Sequence, residues 1–281
     1  MNIDLLTKAL KVWQEGPKFN KEDYHASTGL LSNSFIGDFI NCEYSAVIKH
    51  ALKTESGFNQ NFAIGHIVEA EIFEGEEGRE RMIEVYKNNA ISANTGKPYK
   101  WLEDTRFFAQ SVIRHQKYVD LFRSEGSKYH QSLVFELLGM KWRGEVDYLN
   151  INKAAEIDLK TTADMYKKTW NESTRSKETF IESWNYFRQR ALYQYGINQL
   201  FDVQVTPRIL AICKKTQSVR MFRFDDQERL DSEIGLLTPI VDRIKEVIAG
   251  EDNPHQCERC ALCVESEKPA DYEILVSEFC N

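Results

Sequence analysis

Two short stretches decide the fold of this chain: Gly144-Glu145-Val146-Asp147 and Glu156-Ile157-Asp158-Leu159-Lys160-Thr161-Thr162. Both lie in runs with a period of two, which predicts adjacent β-strands. If the strands form a hairpin whose turn is centred midway between Asp147 and Asp158, these residues face each other with Cβ atoms about 4.5–5.5 Å apart. Lys160 lies two residues beyond Asp158 and points to the same face. Two carboxylates and one amine therefore converge on one patch.

The paired carboxylates predict a cation site. Like charges this close repel unless a cation lies between them. Carboxylate oxygens are hard ligands that suit Mg²⁺ or Mn²⁺ better than Zn²⁺. Spacing alone favours the alternative, a solvated hairpin with ordinary surface charges. In either interpretation Ile157 and Leu159 point into a core. Glu156 shares the face of Asp158 and is interpreted as peripheral, and Glu136, on the preceding strand, is a further candidate ligand.

Composition bounds the class of protein. The chain has 281 residues, 42% of them hydrophobic, which is typical of a globular protein of one large domain or two small ones. No apolar run approaches the roughly 20 residues of a membrane-spanning helix, and the N-terminus lacks a signal-peptide core. We therefore expect a cytoplasmic protein without a membrane partner. The net charge of -7 argues against indiscriminate coating of nucleic acid, without excluding a local basic groove.

The periodicity predicts helices first and strands later. Helices are expected at 1–15, 32–53, 62–74, 77–89, 103–123, 179–200 and 226–249. Strands are expected at 129–138, 141–149, 154–160, 207–213 and 217–224, with an irregular segment at 161–178. This order predicts an α/β or α+β core with a helical N-terminal part.

Further motifs occur along the chain in a fixed order. They are Ser32-Asn33-Ser34 with Phe39-Ile40-Asn41-Cys42-Glu43-Tyr44, Gly65-His66-Ile67-Val68-Glu69, Gln189-Arg190-Ala191-Leu192-Tyr193, and Cys257-Glu258-Arg259-Cys260-Ala261-Leu262-Cys263. With Asp147 and Asp158-Leu159-Lys160, this set resembles the PD-(D/E)XK nuclease superfamily and its RecB-like members. It is most similar to phage-encoded recombination exonucleases of the exonuclease VIII (RecE) type.

The resemblance implies a restriction-endonuclease-like core in which a central mixed sheet is flanked by helices. It suggests an N-terminal segment at 1–30, a nuclease domain at 31–250, and a cysteine-containing C-terminal tail at 251–281 that packs on the nuclease domain.

The resemblance also implies roles for individual residues. Glu69, Asp147, Asp158 and the main-chain carbonyl of Leu159 would bind Mg²⁺ or Mn²⁺, which lowers the pKa of a bound water. Lys160 would orient that water and stabilise the developing oxyanion. Gln189 and Tyr193 would position the scissile strand or a water.

The ligand on the upstream helix has an alternative. Many relatives carry His where this chain has Glu69, and His66 lies three residues earlier on the same helix face. His66 could therefore assist or substitute. We favour Glu69, because it occupies the family position and is a hard ligand.

A locally basic stretch predicts a DNA-contacting surface. The candidate contacts within 160–190 are Thr161, Thr162, Lys167, Lys168, Arg175, Arg188 and Arg190. They suit phosphate tracking, and the interleaved aromatic residues would stack on the bases of a frayed end. For these aromatic residues, Trp170, Trp184, Tyr186 and Phe187, we favour the alternative of core packing.

The C-terminal cysteines predict a second metal site. Cys257, Cys260 and Cys263 are too dense for chance in a cytosolic chain and suit Zn²⁺ or a [4Fe–4S] cluster. RecB-like nucleases with an iron–sulfur cluster take the fourth cysteine from the opening helix, which implies Cys42, with Cys280 second. The alternative is a set of reduced thiols. Cys213, inside a strand, is expected in the core.

Three functions remain open at this point. The resemblance implies a 5′→3′ exonuclease on linear duplex DNA ends that leaves 3′ single-stranded overhangs for a strand-annealing partner, works as a homo-oligomeric ring, and acts in the host cytoplasm if phage-encoded. The second is a CRISPR-associated type iron–sulfur nuclease acting on single strands. The third is a non-catalytic DNA-end-binding or protein-interaction module, against which the intact Asp147, Asp158 and Lys160 argue.

Overall fold

The computed structural model describes residues 3–20, 26–53, 57–172 and 174–266. The helices are α1 (Ile3–Gln14), α2 (Asn33–Asn41), α3 (Glu43–Leu52), α4 (Gln60–Glu74), α5 (Glu76–Val85), α6 (Lys87–Ala90), α7 (Lys100–Ile113), α8 (Gln116–Phe122), α9 (Phe180–Ser183), α10 (Tyr186–Phe201), α11 (Gln227–Gly235), α12 (Leu237–Ala249) and α13 (Ala261–Ser266). The strands are β1 (Ser127–Leu137), β2 (Met140–Asn150), β3 (Ala155–Thr162), β4 (Thr169–Asn171), β5 (Ser176–Glu178), β6 (Thr206–Cys213) and β7 (Val219–Arg223).

A mixed sheet of five strands organises the fold, in the order β1-β2-β3-β6-β7. Strand β3 pairs antiparallel with β2 and parallel with β6, and β7 returns antiparallel to β6. A parallel pair needs a long crossover. Between β3 and β6 the chain forms the small β4–β5 hairpin and the helices α9 and α10. The predicted class, an α/β core with a central mixed sheet flanked by helices and a helical N-terminal part, is confirmed.

The hairpin of β2 and β3 has the predicted register. Its ladder pairs Tyr148 with Ile157, Leu149 with Glu156, and Asn150 with Ala155. The turn between the strands is a short 3-10 segment, Ile151–Lys153, whose last backbone N–H is capped by Asn150. The residues on β3 therefore alternate between two faces as the sequence pattern requires.

Apolar side chains cover both faces of strand β6 and one face of strand β3. Ile157 and Leu159 of β3 pack in one cluster with residues of α4 and α7, as predicted. Strand β6 contributes Leu210 and Ile212 to that cluster, and Ile209 and Ala211 to a second one that contains residues of α10 and α11. Strand β6 is therefore buried on both faces, which is typical of a strand with a parallel neighbour.

Several helices expected to be continuous are broken. The helix predicted at 32–53 divides at Cys42, whose backbone is extended and whose Sγ accepts from the Ser45 amide to cap α3. The helix predicted at 179–200 divides at Trp184, before Asn185 with a left-handed φ of 53°. The predictions at 77–89, 103–123 and 226–249 are likewise divided, and 161–178 contains β4 and β5 instead of irregular chain. Apolar periodicity does not reveal these breaks, which are only one or two residues long.

The chain divides into two compact units. One contains the described residues within 1–55, 137–142 and 238–266, and the other those within 56–136 and 143–237. In the first unit the ring of Trp13 lies 4.9 Å from that of Phe35, and the Ser32 hydroxyl caps α2. The second unit contains the residues of the predicted acidic cluster. Among the described residues, no helix is both long and apolar enough to span a bilayer.

Candidate active site

Strands β2 and β3 bring Asp147, Asp158 and Lys160 together. Oδ2 of Asp147 accepts a hydrogen bond of 2.7 Å from the Leu159 amide, and Nζ of Lys160 lies 2.6 Å from Oδ2 of Asp158. On the polar face of β3, Asp158 and its neighbour Glu156 are both buried, whereas the side chain of Lys160 is 26% exposed. The cluster is therefore a largely buried charge system at the centre of the sheet that reaches solvent at Lys160.

Arg190 of α10 covers this face. Its guanidinium is fully buried, donates to Oδ1 of Asp158 at 2.7 Å, and contacts Oε1 of Glu156. Two sequence-based predictions are thereby wrong. Arg190 is not exposed to contact DNA, since its charge is used inside the protein, and Glu156 is not peripheral. The period of two placed Glu156 and Asp158 on one face, but nothing local to β3 indicates which helix covers that face.

Tyr193 and Gln189 lie on the same helix. The Tyr193 ring packs 4.6 Å from the guanidinium carbon of Arg190 and also lies against Gly144, where an added Cβ would be only 2.7 Å from Cε1 of the ring. Gly144 thus allows β2 and α10 to approach closely. Oε1 of Gln189 is buried and has no hydrogen-bond partner among the described residues.

Glu69 lies on α4 and is almost completely buried. Burial, and then the charge of Asp147, raise the pKa of Glu69 well above its usual range, while Lys160 opposes the shift. Nδ1 of His130 lies 3.5 Å from Oε1 of Glu69, a contact that sequence reasoning missed because no motif surrounds His130. Burial lowers the pKa of His130, which favours its neutral form.

The two other candidate ligands lie elsewhere. His66 is exposed, and its Nδ1 is 2.5 Å from the hydroxyl of Tyr86, which gives that nitrogen a partner outside the carboxylate cluster. Glu136 is an exposed residue of β1 whose backbone N–H donates to Gln199.

The electrostatics of the cluster are unbalanced. Burial and the charge of Asp158 raise the pKa of Asp147 to about 7. Burial alone would lower the pKa of Lys160, but Asp158 and Asp147 raise it well above its usual value. Four carboxylates, Glu69, Asp147, Glu156 and Asp158, lie together with two cations, Lys160 and Arg190, and of these six groups only Asp147 and Lys160 are half-buried instead of buried. When all six groups are ionised they carry two surplus negative charges, which one divalent cation offsets, and the raised pKa values of Glu69, Asp147 and Glu156 reflect the cost of that ionisation without a cation.

The predicted DNA-contacting residues divide into two groups. Lys167, Lys168 and Arg175 are exposed, and Thr161 and Thr162 are half-buried at the end of β3. Arg188, by contrast, is buried, and burial lowers its pKa. The prediction that Arg188 contacts DNA does not agree with this burial, for the same reason as Arg190: the first turns of α10 face the protein interior.

Four cysteines converge in the first unit. Sγ of Cys42 is 3.5 Å from Sγ of Cys263 and 3.9 Å from Sγ of Cys260, and Sγ of Cys257 is 3.9 Å from Sγ of Cys263. All four sulfur atoms lie within 4.8 Å of one another. Cys280 lies outside the described residues. Cys213 is buried in β6, as expected of a core residue.

The environment of the thiols suits a metal ion. Backbone amides of Arg259 and Cys260 lower the pKa of Cys257 to about 6, which favours its thiolate. Burial raises the pKa of Cys263 to about 12 and also raises that of Cys42, so a cation is needed to hold these two as thiolates. One ion with four sulfur ligands at about 2.3 Å places the sulfur atoms about 3.8 Å apart, close to the distances observed.

The comparison with protein families identifies the fold. A family model described as a PDDEXK-like domain of unknown function (DUF3799) matches residues 32–266. The chain belongs to this family. The PDDEXK-like match spans both the acidic cluster and the four cysteines, and the predicted membership of the PD-(D/E)XK nuclease superfamily is confirmed.

Solved structures agree with the PDDEXK-like fold. The crystal structure of a provisionally assigned exonuclease from Eubacterium rectale superposes with a TM-score of 0.80 at 20% identity, covering 94% of this chain and 98% of that chain. A second protein, SSO0001, has a TM-score of 0.30 at 12% identity, with 85% of this chain and 96% of that chain covered, and carries no argument. No curated protein matches the chain. Family and fold together support a nuclease.

PDDEXK nucleases use divalent metals, and the acidic cluster of this PDDEXK-like chain fits one. Within the described ranges, Oε1 of Glu69 is buried without a hydrogen bond, and Oδ2 of Asp158 accepts none of good geometry, although the ammonium of Lys160 lies beside it. These oxygens, with the surplus negative charge, suit a hard cation. The acidic cluster is wider than the thiol cluster, since among the described residues only the cysteines bring three or more ligand atoms within 4.8 Å of one another.

Proposed function

We propose that this protein is a Mg²⁺- or Mn²⁺-dependent DNA exonuclease that hydrolyses phosphodiester bonds at the ends of linear duplexes. The observation that carries the proposal is the largely buried cluster in which four carboxylates meet two cations, one of them a lysine on the same strand as Asp158. A purely structural ion-pair network would balance its charges, because unpaired buried charge is costly. The surplus is what a nuclease site that binds a divalent cation requires.

The chain's own residues take the following roles. Glu69, Asp147, Asp158 and the carbonyl of Leu159 hold the cation, which supplies a water of lowered pKa and offsets charge on the phosphate. Lys160, held beside Asp158, orients the attacking water and stabilises negative charge on the phosphoryl oxygens. Gln189, whose Oε1 is unpartnered among the described residues, and Tyr193 position the scissile strand.

The finer features of the proposal derive from the resemblance to exonuclease VIII-type enzymes. They are 5′→3′ polarity, 3′ overhangs for homologous recombination, a single-strand annealing partner, and a ring of identical subunits around the DNA. Each of these features is a separate proposal, and its failure would not contradict the proposed hydrolysis of DNA.

We propose that the cysteine cluster holds a metal with a structural role. The CxxCxxC spacing with a distant fourth cysteine is typical of [4Fe–4S] ligands, whereas the observed sulfur distances match one tetrahedral ion such as Zn²⁺. An iron–sulfur cluster would favour the second function, a RecB-like nuclease acting on single strands. Metal analysis of purified protein and its visible absorbance distinguish the two metals.

Incubation with end-labelled DNA tests the reaction. We expect purified protein to degrade linear duplex DNA with Mg²⁺, to spare covalently closed circles, and to be inactive with chelator. Release of mononucleotides from one labelled end before the other gives the polarity. Cleavage of circles, or cleavage that persists in chelator, contradicts the proposal. Binding to DNA ends without cleavage under any metal supports the third function, a non-catalytic module.

A further inference from the structure

The segment between β3 and α10 forms a distinct lobe beside the acidic cluster. We call residues 163–172 and 174–186 the hairpin lobe; they contain β4, β5 and α9. One end of the lobe follows directly on the strand of Lys160, and the other is Tyr186, whose ring centroid lies 5.6 Å from Nζ of that lysine. Both ends of the lobe therefore adjoin the candidate active site.

The β4–β5 hairpin has a pinned face and an open face. On the pinned face Glu178 is buried, and its carboxylate accepts from the Asn171 amide at 2.9 Å and the Thr174 hydroxyl at 2.8 Å. On the open face Trp170 lies directly opposite Lys177. The indole of Trp170 is 54% exposed. The hairpin is thus held by one face while it presents an aromatic ring and an ammonium to solvent on the other.

A second indole is exposed on the same lobe. Trp184 ends α9, a short helix fixed by a capping box between Thr179 and Glu182, and it is 69% exposed. Helix α9 packs against both strands of the hairpin. The chain has five tryptophans, and the other three, Trp13, Trp101 and Trp142, are buried or half-buried. Exposed indoles are therefore confined to the hairpin lobe, where the sequence interpretation expected core residues.

The exposed charge of the lobe is positive. Lys167, Lys168, Arg175 and Lys177 are exposed and form no ion pair within the part of the chain that the structure describes. The acidic residues are mostly engaged within the protein: Asp164 pairs with Lys215, Glu178 is buried, and Glu182 caps α9, which leaves Glu172. A protein with a net charge of -7 thus presents four exposed cations on the same lobe as its two exposed indoles, next to its acidic cluster.

We propose that the hairpin lobe binds one unpaired DNA strand, with bases stacked on Trp170 and Trp184 and phosphates bound by the four exposed cations of the lobe. Aromatic rings among basic residues are the common means of holding single strands without sequence preference. The inference rests on the proposed nuclease function and deepens it: the strand to be cut is held after separation from its complement.

The test compares strand binding by three variants. Trp170→Ala, Trp184→Ala and the matched control Phe107→Ala, at an aromatic residue 57% exposed on α7, are titrated with fluorescein-labelled oligo-dT and with a blunt duplex. Chelator is present so that nothing is cut. We expect each tryptophan variant to bind oligo-dT about tenfold more weakly, with the blunt duplex changed less than twofold. Phe107→Ala leaves both affinities unchanged.

Two further measurements distinguish strand binding by the hairpin lobe from the hydrolysis step. With Mg²⁺ and a duplex that carries an unpaired tail, the tryptophan variants should raise KM and leave kcat unchanged. The Lys167→Ala, Lys168→Ala double variant should flatten the salt dependence of oligo-dT binding, because fewer counterions are released.

The inference is overturned if both tryptophan variants bind oligo-dT as tightly as the wild type does. It is also overturned if they lose as much affinity for the blunt duplex as for oligo-dT. If the wild type cleaves DNA in that case, the proposed function survives. If the wild type cleaves nothing while the tryptophan variants still lose oligo-dT binding, the proposed function fails and the lobe remains a strand-binding surface.

Discussion

Arg190 and Asp158 form the central ion pair of the acidic cluster, with Nη2 of the arginine 2.7 Å from Oδ1 of the aspartate. The same guanidinium contacts Glu156, so one planar group holds two carboxylates at once. With Oδ1 engaged by Arg190, the other oxygen of Asp158 is directed toward Lys160. The orientation of a proposed metal ligand is thus set by a buried arginine of helix α10.

Replacing Arg190 tests this positioning. Arg190→Met leaves Glu156 and Asp158 buried without their cation, which should lower the free energy of unfolding by about 3–5 kcal/mol. Arg190→Lys keeps the charge, but a lysine cannot contact both carboxylates in a fork, so we expect intermediate stability and a fall in kcat with little change in KM. Urea unfolding and steady-state rates measure the two effects. The matched control, Arg223→Met at an exposed arginine, should change stability by less than about 0.5 kcal/mol.

A double-mutant cycle measures how much of this lost stability comes from the contact between Arg190 and Glu156. Adding Glu156→Gln to Arg190→Met removes one of the orphaned charges, and we expect it to restore part of the lost stability. Additive losses would contradict a direct Arg190–Glu156 interaction.

Asp158→Ala should abolish Mg²⁺-dependent digestion of linear duplex DNA while leaving the protein folded. The carboxylate is placed as a metal ligand and as the neighbour of Lys160, and losing such a group from an active site costs at least about 10²-fold in rate. Digestion assays give the rate, and circular dichroism reports folding. Retention of more than a tenth of the activity would remove Asp158 from the proposed ligand set.

Gly144→Ala should destabilise the protein and reduce its activity. The added methyl group would lie 2.7 Å from Cε1 of Tyr193, and overpacking of this kind costs about 1–3 kcal/mol. Gly235→Ala is the control, because nothing lies within 4 Å of the Cβ it would add. Thermal unfolding distinguishes the two, and an unchanged transition in Gly144→Ala would mean that β2 and α10 separate readily.

The metal-free protein should lose stability as the pH rises. The pKa values of Asp147 and Glu156 are each raised to about 7 by burial, from ordinary values near 4. An acid whose pKa is higher in the folded state is easier to ionise when unfolded, so its stabilising contribution is complete below about pH 4 and disappears as the pH passes 7. In chelator we expect a loss on the order of a few kcal/mol between pH 5 and 8. Asp147→Asn should flatten the curve, as should saturating Mg²⁺, and a flat wild-type curve would contradict the charge surplus.

Cys263→Ser should remove the metal that we propose for the cysteine cluster and lower the melting temperature. Cys263 contacts Cys42 and Cys257 through its sulfur, so the substitution breaks the cluster at its centre. Elemental analysis of purified protein measures the metal. Cys213→Ala, in a buried strand outside the cluster, should retain full metal content. A wild-type protein without metal would leave the four cysteines as reduced thiols.

Short-range order along the chain accounts for what the sequence could predict. The hairpin of β2 and β3 follows from a period of two over adjacent runs, and its register places Ile157 in the core whichever function is assigned. Cys42 could be associated with the C-terminal cysteines only through the resemblance to a family, because over 200 residues separate them.

Long-range partners account for what the sequence could not predict. Arg190 belongs to a basic stretch of the sequence, and this local charge predicted a DNA-contacting residue at the surface. In the structure its guanidinium pairs with Glu156 and Asp158 of β3, a strand that is distant in sequence. Trp184 shows the converse error. Large aromatic residues are usually buried, and only the break at the end of α9 leaves this indole in solvent. Helix breaks at single residues such as Cys42 and Asn185 are tertiary features that periodicity cannot register.

The contact between Cys42 and Cys263 spans 221 positions of the chain, and this has a consequence for how the protein is made. A ribosome that adds about 5–20 residues per second needs on the order of 10–40 s to proceed from Cys42 to Cys257. Throughout that time the first thiol has been synthesised and its three partners have not. The cysteine cluster therefore closes only after Cys263 has been synthesised, and a nascent chain cannot acquire a four-sulfur metal site until the whole segment from Cys42 to Cys263 has been translated.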